Sequence, residues 1–328
     1  MKTQLVTYRF FAILALLLLC GCNKETSKPE VEVVMEGAIG LPTRASIDPP
    51  AGHTGPTHIP PYQLSIGVAM VSHVTSNPLT IQPSNTAWNG ADWERAYFGG
   101  PGLGANPVTN GEIKFTNNTG TSVKRMLYNE DGSYFFFKAI HPYEGATFQN
   151  GILYYPIDGS QDIMMANMGW GNVDNPVVTP LVFKHLLTKL NFVLVAENND
   201  AIGQYGTIDA IEVLDQPNQA KLQVATGELT PNSTNSTRYS ATNFSTGGLS
   251  TTPVQMGYVM VFPGVKYSVR VHTELRLAFY VDVTFSSPPL TPTLPGRAYN
   301  VTLKFMSADE IFILTEEVDE WWLDSTFD

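Results

Sequence analysis

Leu275-Arg276-Leu277-Ala278-Phe279-Tyr280-Val281-Asp282-Val283-Thr284-Phe285 places an apolar residue at every odd number and sets Arg276, Tyr280, Asp282 and Thr284 between them. Successive side chains of a β-strand point to opposite faces, so this period of two predicts a strand with one face in a core and the other in water. Other runs read the same way. Leu64, Ile66, Val68 and Met70 alternate with Ser65, Gly67 and Ala69, and Tyr267, Val269 and Val271 form a second short series. Tyr299, Val301, Leu303 and Phe305 form a third. Helical periodicity is almost absent, and 27 Gly and 23 Pro fall in clusters between the alternating runs. The expectation is an all-β chain of antiparallel β-sandwich type, not a βαβ architecture.

Three stretches read as loops: Pro49 to Pro61, Ser76 to Gly111, and the Ser/Thr/Asn tract from Thr230 to Thr252. The second holds Gly99-Gly100-Pro101-Gly102 beside Trp88, Trp93, Tyr97 and Phe98. A chain of this length exceeds the usual size of one core, so two domains are expected, divided near Thr179-Pro180. No internal sequence repeat is visible.

The amino terminus has its own logic. Lys2 and Arg9 give a basic leader, Phe10 to Leu19 is wholly apolar, and Leu19-Cys20-Gly21-Cys22 closes the run. Ten apolar residues are too few to cross about 30 Å of hydrocarbon, so the segment reads as a removed export signal. Leu-x-Gly-Cys resembles a bacterial lipobox, in which the peptide is cut before the cysteine and the thiol takes up diacylglycerol. Residues 1–21 are then the signal peptide and Cys22 the lipidation site, with acyl chains anchoring at about 0.8 kcal/mol per buried methylene. Leu19 is too bulky to precede an acceptor at Cys20. The chain holds only these two cysteines, so the mature domain is expected to have no disulfide, thiolate metal site or cysteine nucleophile. Without Lys2 and Arg9, 17 basic residues face 30 acidic ones, a net charge near −13 that argues against nucleic acid as a partner.

The middle of the chain carries a family likeness. Phe135-Phe136-Phe137-Lys138-Ala139-Ile140-His141-Pro142-Tyr143 leads to Tyr155-Pro156-Ile157 and then Ser160-Gln161-Asp162-Ile163-Met164-Met165-Ala166. After a loop comes Leu181-Val182-Phe183-Lys184-His185-Leu186-Leu187-Thr188-Lys189-Leu190-Asn191-Phe192. Near the end stand Pro295-Gly296-Arg297-Ala298-Tyr299 and a run from Ile311 to Trp322. This order resembles the fimbrillin family, the Mfa-like and FimA-like subunits of type V pili, over roughly residues 22–322. Leu187 and Thr188 loosen the match to the family's Phe-x-His-x-Leu-x-Lys-Leu piece.

The resemblance implies two transthyretin-like antiparallel β-sandwich domains in tandem, at 45–180 and 181–328, and a structural role. It further implies export as an outer-membrane lipoprotein and removal of the 22–44 segment by an extracellular arginine-specific protease. Other fimbrial subunits then enter as partners by strand exchange. Arg44-Ala45, within Thr43-Arg44-Ala45-Ser46, matches the family's cleavage position. Val31, Val33 and Met35 alternate with Glu32, Val34 and Glu36, so that segment is able to pair at a sheet edge with one apolar face inward. At the other end Ile311, Ile313 and Thr315 alternate with Phe312 and Leu314, which makes them the candidate donor, unless Trp321 and Trp322 close the subunit's own second sandwich. Shaft, tip and anchor subunits are not separated by these motifs.

Enzymatic readings find little. There is no Gly-x-Ser-x-Gly, no His-Glu-x-x-His and no P-loop. Pro101 removes an N–H where the glycine-rich run from Gly99 to Gly104 would need a phosphate donor. His53 and His58 have no carboxylate pair beside them, so no metal and no cofactor is expected. His185 reads as a hydrogen-bonded packing histidine, and Asp209 with Glu212 as a solvated face. The alternative function is a non-polymerising surface lipoprotein that binds glycans by stacking on Trp88, Trp93 and Tyr97.

Overall fold

Period-two alternation becomes strand almost throughout. The computed structural model describes residues 30–39, 64–98, 110–116, 124–232, 236–242, 244, 247–276, 278–285, 292–307 and 310–318. By contact the chain falls into Met1–Val31, of which Glu30 and Val31 are described, and Glu32–Asp328, which carries the elements that follow. In order, the strands are β1 (Met35–Ile39), β2 (Leu64–His73), β3 (Asp92–Phe98), β4 (Asn110–Phe115), β5 (Tyr134–His141), β6 (Thr147–Gln149) and β7 (Ile152–Pro156). Next come β8 (Met164–Ala166), β9 (Gly169–Gly171), β10 (Leu181–His185), β11 (Thr188–Ala196), β12 (Thr207–Pro217), β13 (Gln219–Gln223) and β14 (Glu228–Pro231). The rest are β15 (Ser236–Ser240), β16 (Gly247–Gly248), β17 (Val254–Val261), β18 (Lys266–Thr273), β19 (Phe279–Thr284), β20 (Ala298–Phe305) and β21 (Ile311–Val318). Among the described residues helix is confined to a 3₁₀ turn, Asn85–Gly90, and to α1 (Asn199–Tyr205), whose first turn is capped by the Asn198 side chain accepting from the Ala201 amide. The fold is all-β.

The first half closes on itself. Strands pair in the order β2-β3-β4-β1-β10-β8-β5, and β5 returns to β2 from Gly67↔Ile140 to His73↔Tyr134, with β9 appended to β5. A closed ring removes the unpaired edges that an open sheet exposes. Its β5 is buried on both faces, with Phe136 and Phe137 fully enclosed. In the second half, one sheet runs β17-β11-β20-β21 and another β15-β12-β18-β19, with β16 on β12. Leu190, Phe192, Val301, Leu303 and Phe305 of the first and Ile211, Val213, Val269 and Val271 of the second are enclosed. Edge-on ring contacts tie the two together, Tyr267–Phe285 at 5.7 Å and Phe285–Tyr299 at 5.1 Å. A fourth sheet, β14-β13-β7-β6, takes one hairpin from each half of the chain. The strand after Thr179-Pro180, β10, pairs within the first ring, between β1 and β8, and the chain changes sheet after His185.

Three expectations need correction. The run from Leu275 begins its strand only at Phe279, because Glu274–Arg276 form the hairpin bend after β18 and Leu275 is exposed; Phe279, Val281, Val283 and Phe285 do turn inward. The stretch Ser76 to Gly111 holds the 3₁₀ turn and β3, whose ladder to β2 is set by backbone despite a weak apolar alternation. The tract Thr230 to Thr252 contains β15, pinned by buried Tyr239, whose hydroxyl donates to the Pro217 carbonyl.

A candidate assembly site at the N-terminal strand

The segment Glu32 to Ile39 fills the gap between β4 and β10. Its alternation sends Val33 and Met35, 6% and 1% exposed, into the ring, while Glu32, Val34 and Glu36 face out. Before β1 proper, the Val33 amide donates to the Met126 carbonyl at 2.8 Å and the Val34 amide to the Pro176 carbonyl at 3.1 Å. The Val34 carbonyl accepts from the Val178 amide at 2.8 Å. Farther along, Met35↔Ile113 through Ala38↔Asn110 runs antiparallel to β4, and Gly37↔Leu181 through Ile39↔Phe183 runs parallel to β10. The Arg125 guanidinium donates to Glu32 at 3.0 Å on the outside. The sequence pattern predicted pairing at an edge; the segment is instead a central strand with neighbours on both sides. An edge strand and a two-sided strand carry the same alternation when the outward face meets solvent, so the pattern alone does not separate them.

One wall of this slot is braced by two pieces of the family-like motif. Asp162 and His185 are 7% and 2% exposed at their side chains and pair through Oδ1 and Nδ1 at 2.8 Å, fixing the end of β10 against the loop before β8. Gly159 makes that loop possible: its φ of +91° suits glycine, and a Cβ there would sit 2.6 Å from the Tyr239 Cβ. His185 is thus a hydrogen-bonded packing histidine. Burial pushes nearby His141 below the usual imidazole range, against the opposing pull of Asp162.

The other candidates lie apart. Val31 is half-buried and precedes β1 in the sequence, outside any strand. Ile311 and Ile313 are half-buried on β21, which pairs with β20 of its own chain from Phe305↔Ile311 to Ala298↔Val318; Phe312 and Leu314 are 55% and 53% exposed on its other face. Cys22, Arg44, Ala45, His53, His58, the run from Gly99 to Gly104, Trp321 and Trp322 lie outside the described residues. Trp88 is buried and offers no stacking face, and Trp93 packs on Phe148 at 5.3 Å. Glu212 is not a solvated carboxylate. It is buried to 9% exposure, accepting from Arg270 Nε at 2.6 Å and His272 Nε2 at 2.8 Å. The signal that would have exposed this site, a cross-strand match with Arg270 and His272, needs the β12–β18 register. Among the described residues no cluster of three or more His, Cys, Asp or Glu is placed to hold a metal, and no helix is long and apolar enough to cross a membrane.

Fold and site together define a class: an all-β protein in which a strand from the N-terminal segment completes a closed ring of strands. The chain belongs to the fimbrillin-like family, whose model matches residues 63–321. Its fold is similar to that of a Bacteroides uniformis protein provisionally described as a cell adhesion protein, with a TM-score of 0.58 at 16% identity over 89% of this chain and 98% of that one. A Bacteroides ovatus protein with the same provisional description aligns with a TM-score of 0.56 at 16% identity, over 91% of this chain and 100% of that one. No curated protein matches the chain.

Proposed function

We propose that the chain is a structural subunit of a type V fimbria, in a shaft, tip or anchor position, and that it serves surface adhesion. On this reading Cys22 carries the lipid that holds the exported precursor at the outer membrane. An extracellular arginine-specific protease cuts between Arg44 and Ala45, and the segment holding Val31, Val33 and Met35 leaves. The vacated slot receives a strand from another subunit, with Ile311 and Ile313 as donor residues. Main-chain hydrogen bonds supply affinity in such β-augmentation and alternate side chains supply register.

The single observation that carries this reading is the position of β1: a strand just upstream of the expected cut fills the only place between β4 and β10. Its loss leaves two rows of unpaired backbone and the vacated sites of two buried side chains, an arrangement that recruits a replacement strand. Family membership supports the structural role, and the adhesion ascribed to the two structural neighbours accords with it.

Intact mass spectrometry of surface-exposed protein tests the whole scheme. The expected species begins at Ala45 when the protease is present and retains acylated Cys22 when it is absent. A surface species that keeps residues 22–44 in both cases refutes the cleavage step. Cys22→Ala is expected to abolish detergent partitioning, and normal partitioning of that variant refutes lipidation there.

A further inference from the structure

A cavity of about 320 Å³ opens where the ring, the 3₁₀ turn and the hairpin between β13 and β14 meet. That volume is at the lower end of small-molecule sites, which span roughly 300–1,000 Å³, and suits one or two sugar rings. It is distinct from the strand slot, although Lys184 in its lining stands on β10, which forms one wall of that slot.

Its charge is unusual for this protein. The chain carries a net charge of −11, yet two lysines and no carboxylate line the cavity. Lys138, on β5, lies at the floor and is 9% exposed. Its ammonium sits 5.0 Å from the centroid of the Trp88 ring and donates to the Val224 carbonyl at 2.9 Å and to the Ala225 carbonyl. An ammonium has three donors, so one remains for a ligand, and neutral carbonyls leave its charge uncompensated. Burial pushes Lys138 down to about 8, and no acidic group contributes, so it stays mostly protonated at neutral pH. Lys184, on β10, is exposed at the rim. Neither lysine belongs to the ion pairs formed among the described residues. Exposed Gln82, Asn85 and Thr226 offer amides and a hydroxyl at the rim beside apolar Met165, Met168 and Leu186, while the Asn167 side chain is engaged, accepting from the Val182 amide and donating to the Pro180 carbonyl at 3.4 Å.

We infer that this cavity is a binding site for a carboxylated sugar, a uronic or sialic acid residue of a glycan. The carboxylate meets the Lys138 and Lys184 ammonium groups, and the ring hydroxyls meet the amide and hydroxyl side chains of the rim. A buried cation without an anionic partner is costly by itself, and an entering carboxylate offsets that cost with a charge-assisted hydrogen bond. A small inorganic anion would leave the polar rim unused, whereas a sugar engages both levels of the site. Trp88 does not stack on the ligand; its ring holds Lys138.

Isothermal titration calorimetry of the purified chain at low salt tests this with methyl β-D-glucuronide, N-acetylneuraminic acid and the neutral control methyl β-D-glucoside. One or both acidic sugars are expected to bind, and the two arms distinguish uronate from sialate. The glucoside is expected to bind at least about tenfold more weakly. Lys184→Ala, at an exposed site, is expected to weaken the acidic sugar about fivefold to tenfold with an unchanged circular dichroism spectrum. Thr226→Asp on the exposed hairpin turn, which sets a like charge at the rim, is expected to weaken it comparably without touching either lysine. The inference is overturned if neither acidic sugar binds with a Kd of about 10 mM or tighter. It is equally overturned if the glucoside binds as well as the acidic sugars, or if both variants bind like the parent.

Discussion

Replacing Met35 by alanine isolates the contribution of β1 to the ring. Met35 is 1% exposed and points inward, whereas its neighbour Val34 points out and is 43% exposed. Truncating a buried methionine to alanine removes its transfer free energy and leaves a void, at a combined cost of about 2–5 kcal/mol. The ring cannot close over that void readily, because β4 and β10 are each held in ladders on their far sides, to β3 and β8. For a chain of this size each kcal/mol lowers the melting midpoint by roughly 2–4 °C, so Met35→Ala is expected to melt at least about 4 °C below the parent. Val34→Ala deletes two exposed methyl groups and is expected to stay within about 0.5 kcal/mol, or roughly 2 °C. Differential scanning calorimetry of the uncleaved protein at pH 7 reads both. Hydrogen exchange adds a local readout, since amides of β4 and β10 that face β1 should exchange faster in Met35→Ala alone. Equal shifts for the two variants, or a Met35→Ala midpoint within about 1 °C of the parent, would refute the assignment of β1 as a core strand.

Mild trypsin treatment is expected to cut first after Arg44; Arg297 lies beside a ladder where the backbone is tied down, whereas Arg276, expected in or against a strand, is exposed in the bend after β18 and is the competing site, and a first cut elsewhere with Arg44-Ala45 intact counts against the processing scheme. Truncation after Ser307 removes β21 and is expected to abolish oligomer ladders of the clipped subunit while circular dichroism still reports β structure; ladders that persist place the donor elsewhere. Burial works to raise the Glu212 carboxyl, but donors on His272 and Arg270 and the Arg270 charge hold it below its ordinary 4.5. That pairing therefore stabilises the fold above about pH 4.5 and is lost as pH falls through the lower folded value, so Glu212→Gln should melt lower than the parent at pH 7 and lose less stability on acidification to pH 3. Parallel pH–stability curves would refute this role for Glu212.

How far the sequence spoke depended on whether a residue's neighbours were local. Alternation in Tyr267–Val271 and Tyr299–Phe305 is a property of the strand itself, and both became enclosed strands. β3 hid inside an apparent loop because its apolar residues do not alternate, Trp93 standing apart from Ala96-Tyr97-Phe98, and β15 because Tyr239 is its one aromatic among polar residues. Their pairing comes from backbone ladders to β2 and β12 and, for β15, from one buried tyrosine. The inward face of β1 was legible in Val33 and Met35, but its central place was not, since the neighbours β4 and β10 come from about 75 and 145 residues farther along the chain. Separations of 23, 58 and 60 residues likewise hid the meetings of Asp162 with His185 and of Glu212 with Arg270 and His272. Lys138 read only as part of an aromatic strand, because its partners are carbonyls of a hairpin in the other half of the chain.

On the proposed exchange, the slot left by β1 would also set the terms on which a replacement enters. β4 runs antiparallel to β1 and β10 parallel to it, so the two walls oppose each other and a replacement strand in either direction pairs antiparallel to one wall and parallel to the other. It needs two apolar side chains two residues apart for the sites of Val33 and Met35 and a small residue at the next inward site, where Gly37 is buried, while the positions of Val34 and Glu36 face out. Ile311 and Ile313 have that spacing, with Phe312 between them and Leu314 after. In the unexchanged subunit β21 is bonded on one side, to β20, over eight register pairs. In the slot it would be bonded on both sides. The trade gives up a ladder of eight pairs, whereas the ladders that β1 holds in the slot comprise four pairs to β4 and three to β10, so the number of bonds barely changes. Phe312 and Leu314 are already exposed on β21, so moving them to an outward position costs little new apolar exposure. On the proposed scheme exchange is therefore favoured not by a net gain of bonds but by the open slot itself, whose two unpaired walls and vacated apolar sites exist only after β1 has gone.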